Sequence, residues 1–205
     1  MKEKIAPIHF MQHNRIRIQE NLERYLIDMF SLQDLDRENT EHYGERTSEE
    51  ALENQIDHDN IHGWLESHVI GNEKRLAALA GKIIETSDEE TLILAYAEYG
   101  RRVGESLKGE IHFSNGQELY GYLNALLLDG MPCDKINVLA ETDENHLVWH
   151  NVRDIHGRYF EELGLQGNLF YILRQSFMTG FLSAIGNIEY SLDIMPEFIV
   201  NSVTF

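Results

Sequence analysis

With 205 residues, 42% of them hydrophobic and 25% charged, the chain has material for one ordinary domain, or one domain with a helical extension. Seventeen basic against 35 acidic residues give a formal charge of -18, which argues against nucleic acid, whose binding needs a cationic face, and against anionic membrane surfaces. A single cysteine, Cys133, excludes an internal disulfide and a zinc site built on several thiolates, and no apolar run approaches the length of a membrane span.

An amphipathic helix is predicted over residues 14–30, where Ile18, Leu22, Tyr25, Leu26 and Met29 recur at spacings of three and four. Residues 34–46 are dense in charge, carry Gly44 and read as a loop. Thr47-Ser48-Glu49-Glu50 matches a capping box, which predicts a helix running to about His62. Gly63 is expected to break or bend it, with a further helix over 72–84. A second box, Ser87 to Glu90, opens a long helix marked by Leu92, Ala95, Tyr99, Val103 and Leu107. A third, Ser114-Asn115-Gly116-Gln117, opens a helix through Leu119, Leu123 and Leu126 that ends at Gly130 and Pro132.

Residues 135–140 and 146–152 are short runs rich in Ile, Val, Leu and Trp around the polar turn Thr142-Asp143-Glu144-Asn145, a hairpin signal. In the second arm Leu147 and Trp149 share one face, and His146, Val148, His150 and Val152 the other. A short helix over 158–163 ends at Gly164, and an unusually apolar helix over 167–185 ends at Gly186. Ile188, Tyr190, Leu192 and Ile194 alternate with Glu189, Ser191 and Asp193, so a half-buried strand follows, with a second expected over 198–205. The fold class expected is α+β: helices packed on a small antiparallel sheet, with an N-terminal helical region over 1–86 and a core over 87–205.

Three groups of residues could carry chemistry. His58 and His62 lie four apart on a predicted helix, with Glu66 extending the stripe; His58-Asp59-Asn60-Ile61-His62 resembles the zincin pattern but has Asp59 where a glutamate acts as base. That spacing raises a metal-dependent hydrolase as one alternative. His146, His150 and His156, with Trp149 among them, could line a pocket or form a wet hairpin face. Tyr99-Gly100-Arg101-Arg102-Val103-Gly104, with Arg153, Arg158 and Arg174, supplies scarce arginines suited to a carboxylate. Gly100 and Gly104, four apart on one helix face, admit either a ligand or, the preferred reading, a closely packed helix. No nucleophile elbow or phosphate loop occurs, and no catalytic residue is assigned.

From Ser87 onward the chain resembles the vinyl-reductase-type ligand-binding domain, whose superfamily includes vesicle-tethering subunits and haem nitric-oxide sensors. The resemblance rests on residues 99–107, on Glu118-Leu119 with residues 126–130, on the hairpin over 136–152, and on residues 177–186 leading into the strand over 188–195. Where many members carry a cysteine pair, this chain has Pro196-Glu197-Phe198-Ile199, so their zinc site is not carried over. Tyr171-Ile172-Leu173-Arg174 departs from the haem clamp of the sensors. The resemblance implies a non-catalytic, sensor-like module that binds a small apolar molecule or a protein partner between helices and sheet; the apolar helix over 167–185, beside aromatics and scarce arginines, points to Tyr99, Arg102, Trp149, Tyr171 and Arg174 as its lining. No cofactor is named. A homodimer is expected because the apolar helix over 167–185 needs covering, and a scaffolding subunit remains a second alternative. The first residues lack the apolar core of a signal peptide, so a cytoplasmic location is expected, with neither membrane insertion nor nucleic acid as partner.

Overall fold

A computed structural model describes residues 4–205, which divide into two compact units, Met1–Leu79 with Ala125–Lys135, and Ala80–Asn124 with Ile136–Phe205. The first unit therefore takes in a segment that the sequence reading assigned to the C-terminal core.

In the first unit, α1 (Pro7–Phe30) begins earlier than its apolar spacing suggested, because Pro7 supplies a pre-set first helical residue. It ends at Ser31, which is in the left-handed region at φ 55°. Residues expected to form a loop make α2 (Gln33–Tyr43). The capping-box sequence at Thr47 opens no helix: only the single turn α3 (Leu52–Gln55) forms, followed by α4 (Ile61–Thr86), which runs straight through Gly63. Thr47 is diverted into the interior, where its N–H and hydroxyl both donate to the Glu20 carboxylate. A tertiary bond to a buried carboxylate outweighs a cap worth about 1 kcal/mol. The apolar core joins Ile16, Leu52, Ile56, Ile61, Leu65, Val69, Leu128 and Met131.

Beside that core the α1–α4 seam is polar. Glu20, Glu23, Asn72 and Arg75 are all buried. Arg75 donates from Nε and Nη2 to the two oxygens of Glu23, and from Nη1 to the Gly44 carbonyl. Arg46 donates to Glu23 and Asp36. Burial, with Glu23 nearby, pushes the Glu20 carboxyl up against the opposing pull of Thr47 and Arg75. Further along the seam, Trp64 lies 6.2 Å from the His13 ring and 4.1 Å from the His68 ring. Burial, then Arg75 and His13, lowers His68 to about 4.

The second unit holds α5 (Glu89–Leu107), α6 (Gly116–Leu126), β1 (Asn137–Thr142), β2 (His146–Asn151), α7 (Gly157–Glu161), α8 (Leu169–Ile185), β3 (Glu189–Ile194) and β4 (Ile199–Thr204). Both helix-start signals act one residue later than their boxes suggested. Asp88 accepts from the Thr91 N–H, and Asn115 accepts from the Glu118 N–H while Glu118 reaches back to Ser114. The sheet is antiparallel with order β1-β2-β4-β3, so the fold class is α+β. Leu147 and Trp149 are buried with Ile199 and Val203, and His146, Val148 and His150 take the opposite face. On the buried face the amides of Asn137, Asn151 and Asn201 form a chain across three strands, continued by the Tyr190 hydroxyl from β3.

α8 packs against α5 and β3, so its apolar circumference is covered without a second copy of the chain, and the reason given for a homodimer lapses. The crossing is very close. A Cβ on Gly100 would lie 2.0 Å from the Phe177 carbonyl oxygen, and one on Gly180 would lie 2.0 Å from that of Ala97. The glycine pair on α5 therefore serves helix packing.

Candidate functional site

A cleft of about 380 Å³ opens in the second unit between the loop after β2, the starts of α7 and α8, and the β3–β4 turn. Its walls differ in kind. One presents Arg153, Asp154, Glu161, Asn168 and Tyr171; the other presents Ile194, Met195, Pro196, Phe198 and Ile199, with the single carboxylate of Glu197 among them.

Asp154 organises the polar wall. Its Oδ1 accepts the His156 N–H at 2.8 Å, the Gly157 N–H at 2.9 Å and the Tyr171 hydroxyl at 2.7 Å. The first two bonds are a turn that starts α7, and the third ties the loop to α8. Burial pushes the Asp154 carboxyl up, but Gly157, Tyr171 and His156 together hold it below the usual carboxylate range. It is an anion at neutral pH. The apolar wall is set by a tight turn in which the Met195 N–H donates to the Phe198 carbonyl at 3.0 Å. Phe198 is braced by the His150 ring at 4.8 Å. The turn leaves Ile194 and Met195 49% and 45% exposed at the mouth.

Of the five residues expected to line a pocket, Tyr171 reaches this cleft. Arg174, nearly a turn further along α8, is buried with its guanidinium 4.9 Å from the Phe170 ring. Trp149 is sealed in the core, 6.1 Å from the Tyr120 ring and 6.2 Å from that of Tyr190. Tyr99 packs 6.1 Å from Phe177. Arg102 lies on the surface and pairs with Glu98, whose carboxyl Arg101 and Arg102 hold down at about 2. Arg174, Trp149, Tyr99 and Arg102 take no part in the lining of this cleft. Asp154, Glu161, Asn168 and Phe198 were missed. The spacing Asp154-Ile155-His156-Gly157, an aspartate capping a short helix, was the available signal.

The histidines are dispersed. His58 sits in the turn before α4 and donates from Nε2 to the Glu53 carbonyl at 2.9 Å, so His58, His62 and Glu66 form no helical stripe. His62 instead meets His9, with 3.3 Å between their Nε2 atoms. The Ala6 N–H donates to His9 Nδ1, which puts the His9 proton on Nε2, directed at His62, so that nitrogen offers no lone pair to a metal. This pair borders an apolar notch of about 190 Å³ that Cys133 also lines. Among the described residues no group of three or more His, Cys, Asp or Glu side chains is arranged to hold a metal ion. His150 stacks on Phe198, whereas His156 is buried 3.8 Å from the Phe170 ring, so these two do not share a pocket with His146. Among the described residues no helix is long and apolar enough to cross a membrane.

No protein-family model, curated protein or solved structure matches this chain.

Proposed function

We propose that this protein is a non-catalytic, small-molecule-binding module, and that the cleft beside α8 receives a ligand with an apolar body and a polar head. The observation that carries this reading is the pairing of walls in one cleft of about 380 Å³, a mainly hydrocarbon β3–β4 turn that carries only Glu197 as a polar side chain against hydrogen-bonding groups on the α7–α8 side. Ligand pockets combine apolar lining with a few convergent polar groups in this manner and at this size. Tyr171 is both part of the wall and one of the residues that the apolar helix and its aromatics singled out in the sequence. The lining offers no nucleophile activated by a base, so binding is better supported than reaction.

The test is a thermal-shift screen of small amphipathic molecules, with hits mapped by NMR on the full chain. Binders should perturb Tyr171 and Phe198 and lose at least about tenfold in affinity in Phe198→Asp, which places a charge on the apolar wall. Hits that leave both residues unmoved, or that bind Phe198→Asp unchanged, would overturn the reading. A protein partner is the competing reading, favoured by the exposure of Ile194 and Met195 at the same mouth. It requires Ile194→Ser and Met195→Ser to abolish co-purification of a stoichiometric second chain.

A further inference from the structure

We infer that the head group received by this cleft is a cation, an ammonium carried on an apolar body; this rests on the small-molecule reading above. The acceptor capacity of the polar wall is what remains open. Tyr171 already donates its hydroxyl proton to Asp154. All three donors to Asp154 land on Oδ1, so Oδ2 keeps its lone pairs. Glu161, at the end of α7, enters no ion pair among the described residues.

Two glycines make room for these carboxylates. A Cβ on Gly157 would lie 2.4 Å from Asp154 Oδ2 and 3.1 Å from the Gly167 carbonyl oxygen. One on Gly167 would lie 2.7 Å from Glu161 Oε1. Each glycine thus leaves the room that a carboxylate occupies, Gly157 lies against Gly167, and both carboxylates line the same cleft. Arg153 is the single cationic side chain lining the cleft, against the three carboxylates of Asp154, Glu161 and Glu197. An ammonium supplies the donors and the charge that this arrangement lacks, and charge-assisted bonds to carboxylates are the strong ones. The formal charge of -18 on the whole chain draws cations toward it and repels anions. The apolar wall then takes the hydrocarbon.

Three probes that share one body and differ in head group separate the possibilities: phenethylamine, 2-phenylethanol and 3-phenylpropionate, each titrated by NMR into the full chain. Phenethylamine should bind at least about tenfold tighter than phenylethanol, the worth of one charge-assisted hydrogen bond, and phenylpropionate weakest. Glu161→Gln should remove most of that advantage, read as the ratio of amine to alcohol affinity within the same variant. Since Glu161 is exposed and enters no ion pair among the described residues, the variant should fold as the parent does. Equal affinities for the three probes, or an amine preference that survives Glu161→Gln, would overturn the inference and leave the small-molecule reading standing. Tightest binding of phenylpropionate would overturn it in favour of Arg153. If none of the three perturbs Tyr171 or Phe198, the small-molecule reading falls and the cationic head group with it.

Discussion

Glu23 and Arg75 face each other with neither side chain reaching solvent, Arg75 Nε donating to Oε2 at 2.7 Å and Nη2 to Oε1 at 3.0 Å. This two-pronged geometry joins α1 to α4 in the interior of the first unit. Removing two charges from water is costly, and only a complete set of bonds offsets the cost. Asn72, Arg46 and the Gly44 carbonyl complete it.

Breaking the pair from one side should therefore be severe. Arg75→Met leaves a buried carboxylate without its main partner and should lower unfolding stability by about 3–5 kcal/mol. Glu23→Leu combined with Arg75→Met should recover much of the loss, since two hydrocarbons of similar volume need no partners. Urea denaturation of the parent, the single variant and the double variant measures both; a double variant as damaged as Arg75→Met would refute the pairing argument.

The seam also titrates. In the unfolded chain His68 takes a proton near pH 6.5, whereas burial, Arg75 and His13 delay that event to about 4 in the folded protein. Between those values the unfolded state holds the extra proton, so stability falls as pH drops from 6.5 toward 4. Discounted for partial exposure, the loss from His68 is about 2 kcal/mol. His13, lowered by burial and then by Arg17, adds to it with the same sign; Glu20, raised by burial, opposes it at lower pH. His68→Gln should flatten the pH dependence of the denaturation midpoint over this window. Trp64, 4.1 Å from the His68 ring, should report protonation through its fluorescence.

At the α5–α8 crossing a methyl group has nowhere to go. Gly180→Ala sets a Cβ 2.0 Å from the Ala97 carbonyl oxygen, in backbone that cannot yield as a side chain would. The helices must separate, at a cost of about 3 kcal/mol or more. Gly121→Ala, with open space around it, should gain a few tenths of a kcal/mol through helix propensity. Melting temperatures of the two variants give the comparison, and equal shifts would contradict the crossing.

The asparagine chain makes a different prediction. Asn201 donates to Asn151 and accepts from the Tyr190 hydroxyl, each bond linking neighbouring strands. Asn201→Leu takes the donor from the buried Asn151 carbonyl and an acceptor from the half-buried Tyr190 hydroxyl and should cost about 1–3 kcal/mol, although leucine is the more apolar side chain. Hydrogen exchange should accelerate first in β3, the edge strand tied in through Tyr190. A stabilised Asn201→Leu would show that the amides contribute nothing beyond occupancy.

The second unit was legible in the sequence because local signals there agree with the fold. Alternation of Leu147 and Trp149 with histidines, and of Tyr190 and Leu192 with acids, gives strand faces directly, and the glycines after α7 and α8 mark true ends. In the first unit the same kind of reasoning failed where buried polar groups took over. Thr47 carries the residues of a cap, but the Glu20 carboxylate claims it, and Glu20 itself looks like an exposed position on an amphipathic helix. Charge density suggested a loop over 34–46, where the helix α2 forms and Arg46 crosses to Glu23. The cleft was half legible. Tyr171 stood out as an aromatic on an apolar helix, whereas Asp154 and Glu161 are given room by glycine packing that has no periodic signature. Arg102 and Trp149 were drawn toward a pocket by residue type alone, and each found a local partner instead.

The order of the sheet carries a consequence for the newborn chain. β4, synthesised after the other three strands of its sheet, sits between β2 and β3. Until residues 199–204 leave the ribosome, the β1–β2 hairpin has one open edge, Trp149 lacks half of its cover and Asn151 lacks the amide of Asn201. For that interval the nascent protein displays an unpaired strand and an uncovered indole, which is when a chaperone or an aggregate would find it.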